Sequence, residues 1–143
     1  MKTFSMIKKM TFILLLTVTA FSCSKEDDTN TQEDMQEATL LGRWNVVGFE
    51  TAVLYEFTAD KRYTMYSSDG VFESVADVID SGRSGNDYWY EGSMVIVDLN
   101  FGNTVTLTPQ FKCNTNVVDW LTANNEVHST IYREGFDYNS CND

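Results

Sequence analysis

His128 is the one histidine in this chain of 143 residues, and a single imidazole cannot complete a His-based metal site or a Ser-His-Asp set. Its alternation with Thr130 and Tyr132 assigns it to the outer face of a strand. The 21 Asp and Glu residues could supply a glycosidase-type carboxylate pair, but no spacing singles out two of them. Asp69-Gly70 and Asn86-Asp87 are isolated oxygen donors without the regularly spaced acids of a calcium loop. These residue types point away from enzymatic chemistry, and neither a cofactor nor a metal is expected. The remaining candidates are Cys23, Cys113 and Cys141, together with a set of aromatic side chains.

Cys23 follows a leader. Lys2, Lys8 and Lys9 form a positive n-region, and Thr11 to Phe21 is an apolar run too short to span a bilayer comfortably. Residues 1–22 therefore read as a secretion signal. Ala20-Phe21-Ser22-Cys23 resembles a bacterial lipobox, which implies cleavage before Cys23 and acylation of that cysteine. An ordinary secretory signal with a chance cysteine is the alternative. Ser24-Lys25-Glu26-Asp27-Asp28 is similar to the surface-export signal of lipoproteins in the Bacteroidota, and a merely solvated tether is the alternative to that. Attachment to the outer membrane through acyl chains on Cys23, with the domain facing the cell exterior, is what the two resemblances imply.

Residues 23–38 are polar enough to form a flexible, acidic tether, with a short helical turn over Thr31 to Leu40 leading into the domain. All acids lie after Cys23 and three of the ten basic residues lie before it, so the mature chain carries 7 basic against 21 acidic groups, a net charge of −14. That charge excludes nucleic acid as a natural partner and opposes adhesion to an anionic membrane, leaving the acyl chains as the attachment. Outside the cytoplasm, Cys113 and Cys141 have only each other to pair with, and a disulfide is the simplest account. Two free thiols or a redox role are the other readings.

These residues are positioned by strands. From Gly42 to Phe49, Trp44 and Val46 alternate with Asn45 and Val47, and two glycines argue against a helix. Val53, Tyr55 and Phe57 form the next inward set. Ala59-Asp60-Lys61 turns the chain, and Arg62 to Ser67 returns with Tyr63 and Met65. After a run of mixed polarity from Val71 to Ile79 and a mobile loop from Asp80 to Asp87, strand chemistry recurs. It covers Tyr88 to Glu91, Ser93 to Phe101, Thr104 to Thr108, Phe111 to Leu121 and Glu126 to Glu134, with Pro109-Gln110 dividing two of these segments. Eight or nine short strands joined by short loops close most simply into a small antiparallel barrel over residues 39–143, because closure removes both edges. A two-sheet sandwich is the alternative.

Gly42-Arg43-Trp44 at the start of the first strand resembles the Gly-x-Trp signature of lipocalins and the wider calycin group. Leu41 to Val47 followed by Tyr55 to Thr64 resembles the lipocalin-like domains of Bacteroidota lipoproteins, and the similarity covers about residues 39–143. It implies that Arg133 packs over Trp44 and closes one end of the barrel, a structural role. It also implies a binding module for a small apolar or amphipathic ligand. Tyr55, Tyr63, Tyr88, Trp89 and Tyr90 are the candidate contacts, since tyrosine combines an apolar body with a polar tip. An eight-stranded barrel is only just wide enough for its own side chains or one small ligand. The competing reading is thus a filled barrel serving as an interaction or accessory subunit for a protein partner at the cell surface.

Overall fold

A computed structural model describes residues 39–142, over which the chain forms eight antiparallel strands in a closed up-and-down barrel. In order they are β1 (Gly42–Val46), β2 (Val53–Phe57), β3 (Lys61–Tyr66), β4 (Asn86–Glu91), β5 (Met94–Asp98), β6 (Thr104–Lys112), β7 (Val117–Leu121) and β8 (Val127–Arg133). Each strand lies beside its sequence neighbours, and β8 returns to β1 with Trp44 opposite Arg133 and Val46 opposite Ile131. The leader, Cys23 and the tether lie outside the described residues. So does the Thr31–Leu40 turn except Thr39 and Leu40, which are helical.

Strand alternation divides the side chains between two apolar clusters. Trp44, Val46, Phe57, Val95, Val118 and Ile131 belong to the cluster that fills the barrel. Within it the Phe57 ring meets Tyr88 edge-on at 5.3 Å and stacks near Trp120 at 6.3 Å. The second cluster lies on the outer face of β2 and β3, where Leu54, Tyr63 and Met65 pack with Val78. Val78 belongs to α1 (Val75–Asp80), a short helix that runs from the Val71–Ile79 stretch into the first residue of the expected loop. Its start is fixed by a capping box: the Asp77 N–H donates to the Ser74 hydroxyl at 3.2 Å, and the Ser74 N–H donates to the Asp77 carboxylate at 2.9 Å.

The expected break at Pro109-Gln110 is not there. β6 runs through both residues, with Pro109 opposite Trp120 and Gln110 opposite Asp119. β5 pairs only with Thr104 to Leu107, so Pro109 stands beyond that ladder, where a residue lacking an N–H is tolerated. The chain turns instead at Cys113-Asn114-Thr115, three successive residues with φ of 49°, 52° and 65°. Left-handed backbone costs a non-glycine residue about 1–2 kcal/mol. The turn is held by the Asn116 N–H and side-chain amide, which both donate to the Cys113 carbonyl, at 3.1 and 3.0 Å. A disulfide joins Cys113 to Cys141, Cα atoms 5.7 Å apart. It fastens the C-terminal tail to the barrel, and Tyr138 of that tail stacks on Tyr132 at 5.3 Å.

Candidate functional site

In an up-and-down barrel, successive connections alternate between the two ends. The entry to β1, the β2–β3, β4–β5 and β6–β7 turns and the exit from β8 share one end. That end is sealed. The Trp44 indole is fully buried and donates to the Leu40 carbonyl at 2.6 Å. The Arg133 guanidinium lies 4.1 Å from the Trp44 ring centroid and donates to the carbonyls of Leu41 and Thr39. A cation over an indole contributes roughly 0.5–2 kcal/mol, and here it also satisfies carbonyls of the helical entry.

The barrel interior holds a recess of about 60 Å³, lined by Tyr55, Phe57 and Arg62 around the β2–β3 turn, by Val95, Val97, Val105, Leu107 and Trp120, and by His128 and Ser129 next to the β7–β8 connection at the other end. In this acidic chain the lining contains no Asp or Glu. At roughly 10–15 Å³ for each water-sized volume, the recess admits a head group or a few heavy atoms, not a long chain.

Arg62 reaches the recess because β3 places it on the inner face, opposite Phe57 of β2. It also stands on the last rung of the β3–β4 ladder, which consists of Lys61–Asp87 and Arg62–Asn86. The guanidinium carbon lies 4.8 Å from the Tyr55 ring centroid, and its Nε is buried with no hydrogen-bond partner in the protein. Burial pushes the Arg62 pKa below its ordinary value, opposed by the nearby Tyr55 and Tyr66. The other Lys and Arg side chains of the described residues are matched. Arg43 meets Glu134 at 2.9 Å, Lys61 pairs with Asp87, Arg83 meets Glu73 at 2.5 Å, Lys112 meets Asp119 at 2.6 Å, and Arg133 holds its two carbonyls.

Of the five aromatic contacts expected from the sequence, Tyr55 alone lines the recess. Tyr63 is on the other side of the sheet, buried beneath α1 with Leu54 and Met65. Tyr88 is core: its hydroxyl donates to the Thr58 carbonyl at 2.7 Å and its ring packs on Phe57. Tyr90 follows it inside, its ring 6.2 Å from that of Tyr88. Trp89, between them, must face outward; it is 40% exposed, opposite Ile96 on the outer face of β5. Three consecutive strand residues cannot all line one cavity.

His128 corrects the opposite way. Trp120 pairs with Ser129 and Leu121 with Val127, so His128 is the extra residue of a β-bulge and is re-aimed to the rim of the recess. Neither Arg62 nor His128 is signalled by periodicity. The sequence clue to Arg62 is its place one residue from the Lys61 turn, among aromatics.

A wider groove of about 310 Å³ lies outside the barrel beside the tail, lined by Lys112, Val117, Asp119, Tyr138, Asn139 and Cys141. Its charges are already matched, Lys112 and the Thr130 hydroxyl both meeting the Asp119 carboxylate, so it presents no unsatisfied group. Among the described residues, no three His, Cys, Asp or Glu side chains converge as metal ligands, and no helix is long and apolar enough to cross a membrane. Comparison with protein-family models, curated proteins and solved structures finds no match to this chain.

Proposed function

We propose that this chain is a lipid-anchored, lipocalin-like binding module, carried through Cys23 on the outer membrane and facing the cell exterior, that takes a small amphipathic molecule into its barrel. The observation that carries the reading is a barrel sealed at one end by Trp44 and Arg133 and holding an aromatic-lined, acid-free recess in its interior. A recess inside the barrel wall removes water from most sides of a ligand that enters it. The test is native mass spectrometry of the chain from Ser24 to Asp143, exported to a periplasm without acylation, followed by extraction of bound molecules. A stoichiometric adduct lost on denaturation supports the reading. A bare mass that persists after incubation with small carboxylic acids, amides, fatty acids and aromatic dyes overturns it.

One observation favours a second reading, a protein-interaction or accessory subunit at the cell surface. Phe49, Tyr66, Val71, Phe101 and Val127 are exposed on or next to the four connections at the end opposite the seal, and Phe101 is 100% exposed. An apolar rim of this kind suits a protein partner as well as a ligand. Substituting Phe49 and Phe101 together with Ser distinguishes the two: small-molecule adducts survive under the first reading, whereas capture of the surface partner is lost under the second.

A further inference from the structure

We propose that the recess selects anionic ligands, and that Arg62 receives the carboxylate of a small amphipathic acid whose apolar body lies along the valine and leucine walls. The inference rests on the binding-module reading above and specifies the chemistry of its ligand. It begins from an imbalance. The chain carries 21 acids, and each other Lys or Arg of the described residues has found a carboxylate or backbone carbonyl, yet Arg62 has neither. Arg62 is half-buried, and its Nε is buried without a partner; a guanidinium so placed carries a desolvation cost that a well-folded chain ordinarily removes by pairing it. Among the described residues its closest compensation is the Tyr55 face, 4.8 Å away, with Tyr66 acting in the same direction. That contact is weaker than an ion pair and takes up none of the guanidinium's hydrogen-bond donors.

The surroundings fit the same occupant. A planar fork of donors matches the two oxygens of a carboxylate. Val95, Val97, Val105 and Leu107 supply apolar walls next to it, and His128 and Ser129 bring polar groups to the rim. The volume, about 60 Å³, admits a carboxylate with a short stem and excludes a long acyl chain from the interior. A neutral ligand of the same shape would fill the same walls but leave the guanidinium unmatched.

The experiment uses isothermal titration and tryptophan fluorescence on the chain from Ser24 to Asp143, with two matched pairs of probes: hexanoate against hexanamide, and phenylacetate against phenylacetamide. The wild-type protein is expected to bind each acid about tenfold or more tightly than its amide, as a charge-assisted pair requires. Arg62→Met is expected to abolish that preference while keeping the amide within about twofold, which also shows that the variant is folded. Arg62→Lys, which keeps the charge but not the fork, is expected to retain part of the preference, and it serves as the test if Arg62→Met does not fold. Equal affinity for acid and amide in the wild-type protein overturns the proposal and leaves the binding-module reading standing, as does a preference that survives Arg62→Met. If no probe of either kind binds, both fall together.

Discussion

A methyl group on Gly42 would stand 3.0 Å from Nη1 of Arg133, at a backbone φ of +106°. The glycine of the Gly42-Arg43-Trp44 triplet is therefore fixed by two independent constraints, backbone conformation and the room that the Arg133 guanidinium needs to cover Trp44. Gly42→Ala should destabilise the barrel by about 2 kcal/mol or more, since it incurs strain and displaces the closing arginine. Urea unfolding followed by tryptophan fluorescence checks it; an unchanged midpoint would mean that the arginine moves without loss.

Thr115 offers the reverse case. It is exposed, β-branched and held at φ of 65° in the turn between β6 and β7. Thr115→Gly removes the left-handed penalty and should stabilise by about 1 kcal/mol, provided that the looser unfolded chain does not offset the gain. A rise in the urea midpoint with an unchanged slope is the expected result.

Disulfide removal acts on the unfolded chain. Cys113 and Cys141 are 28 residues apart, and closing a loop of that length removes unfolded-state entropy equivalent to about 3.5 kcal/mol. Unfolding of the Cys113→Ser, Cys141→Ser double variant should show a loss of that order, and reductant should lower the wild-type midpoint toward it. Tail release should also break the Tyr132–Tyr138 stack, giving a near-ultraviolet circular dichroism change.

Acid should loosen the α1 connection. The Ser74 hydroxyl, and after it the Ser74 backbone N–H, hold the Asp77 carboxyl below its ordinary range; the Val71 N–H and then the Ser67 hydroxyl do the same for Asp69. A depressed folded pKa contributes stability that is present above the unfolded value, about 3.9, and lost as pH falls through the folded one. The urea midpoint should therefore fall below about pH 4, and Asp77→Asn should flatten part of that fall. An identical pH slope in the variant would remove the capping box from the account.

Arg62→Met should make the ligand-free barrel more stable, by about 1 kcal/mol, because it replaces an unmatched guanidinium by an apolar side chain of similar reach. Thermal unfolding in the absence of any carboxylate buffer measures this. A loss of stability would show that the Tyr55 contact outweighs the cost of holding the charge inside.

Closure of the barrel was legible in the sequence because it depends on alternation, short turns and the Gly42, Trp44 and Arg133 positions, all of which are visible in one dimension. Face assignment was legible only where one side of the sheet is wet. In β3 both sides are covered, the inner by the opposing strands and the outer by α1, so Tyr63 and Met65 could pack outward while Arg62 turned inward. Hydrophobicity has no means of ranking those two registers. Ser74 and Asp77, three residues apart before Val78, do carry the signal for α1, yet a six-residue helix is too short for its period to stand out. His128 depends on a bulge set by β7, a partner that local sequence does not reveal.

The chain enters β1 at the end that Trp44 and Arg133 seal, and Arg133 is the last residue of β8 there. Whatever holds the preceding residues thus grips the barrel by its base, like the stem of a cup. If that grip is a lipid on Cys23, sixteen residues before Thr39, the base cannot stray farther than about 55 Å from the bilayer.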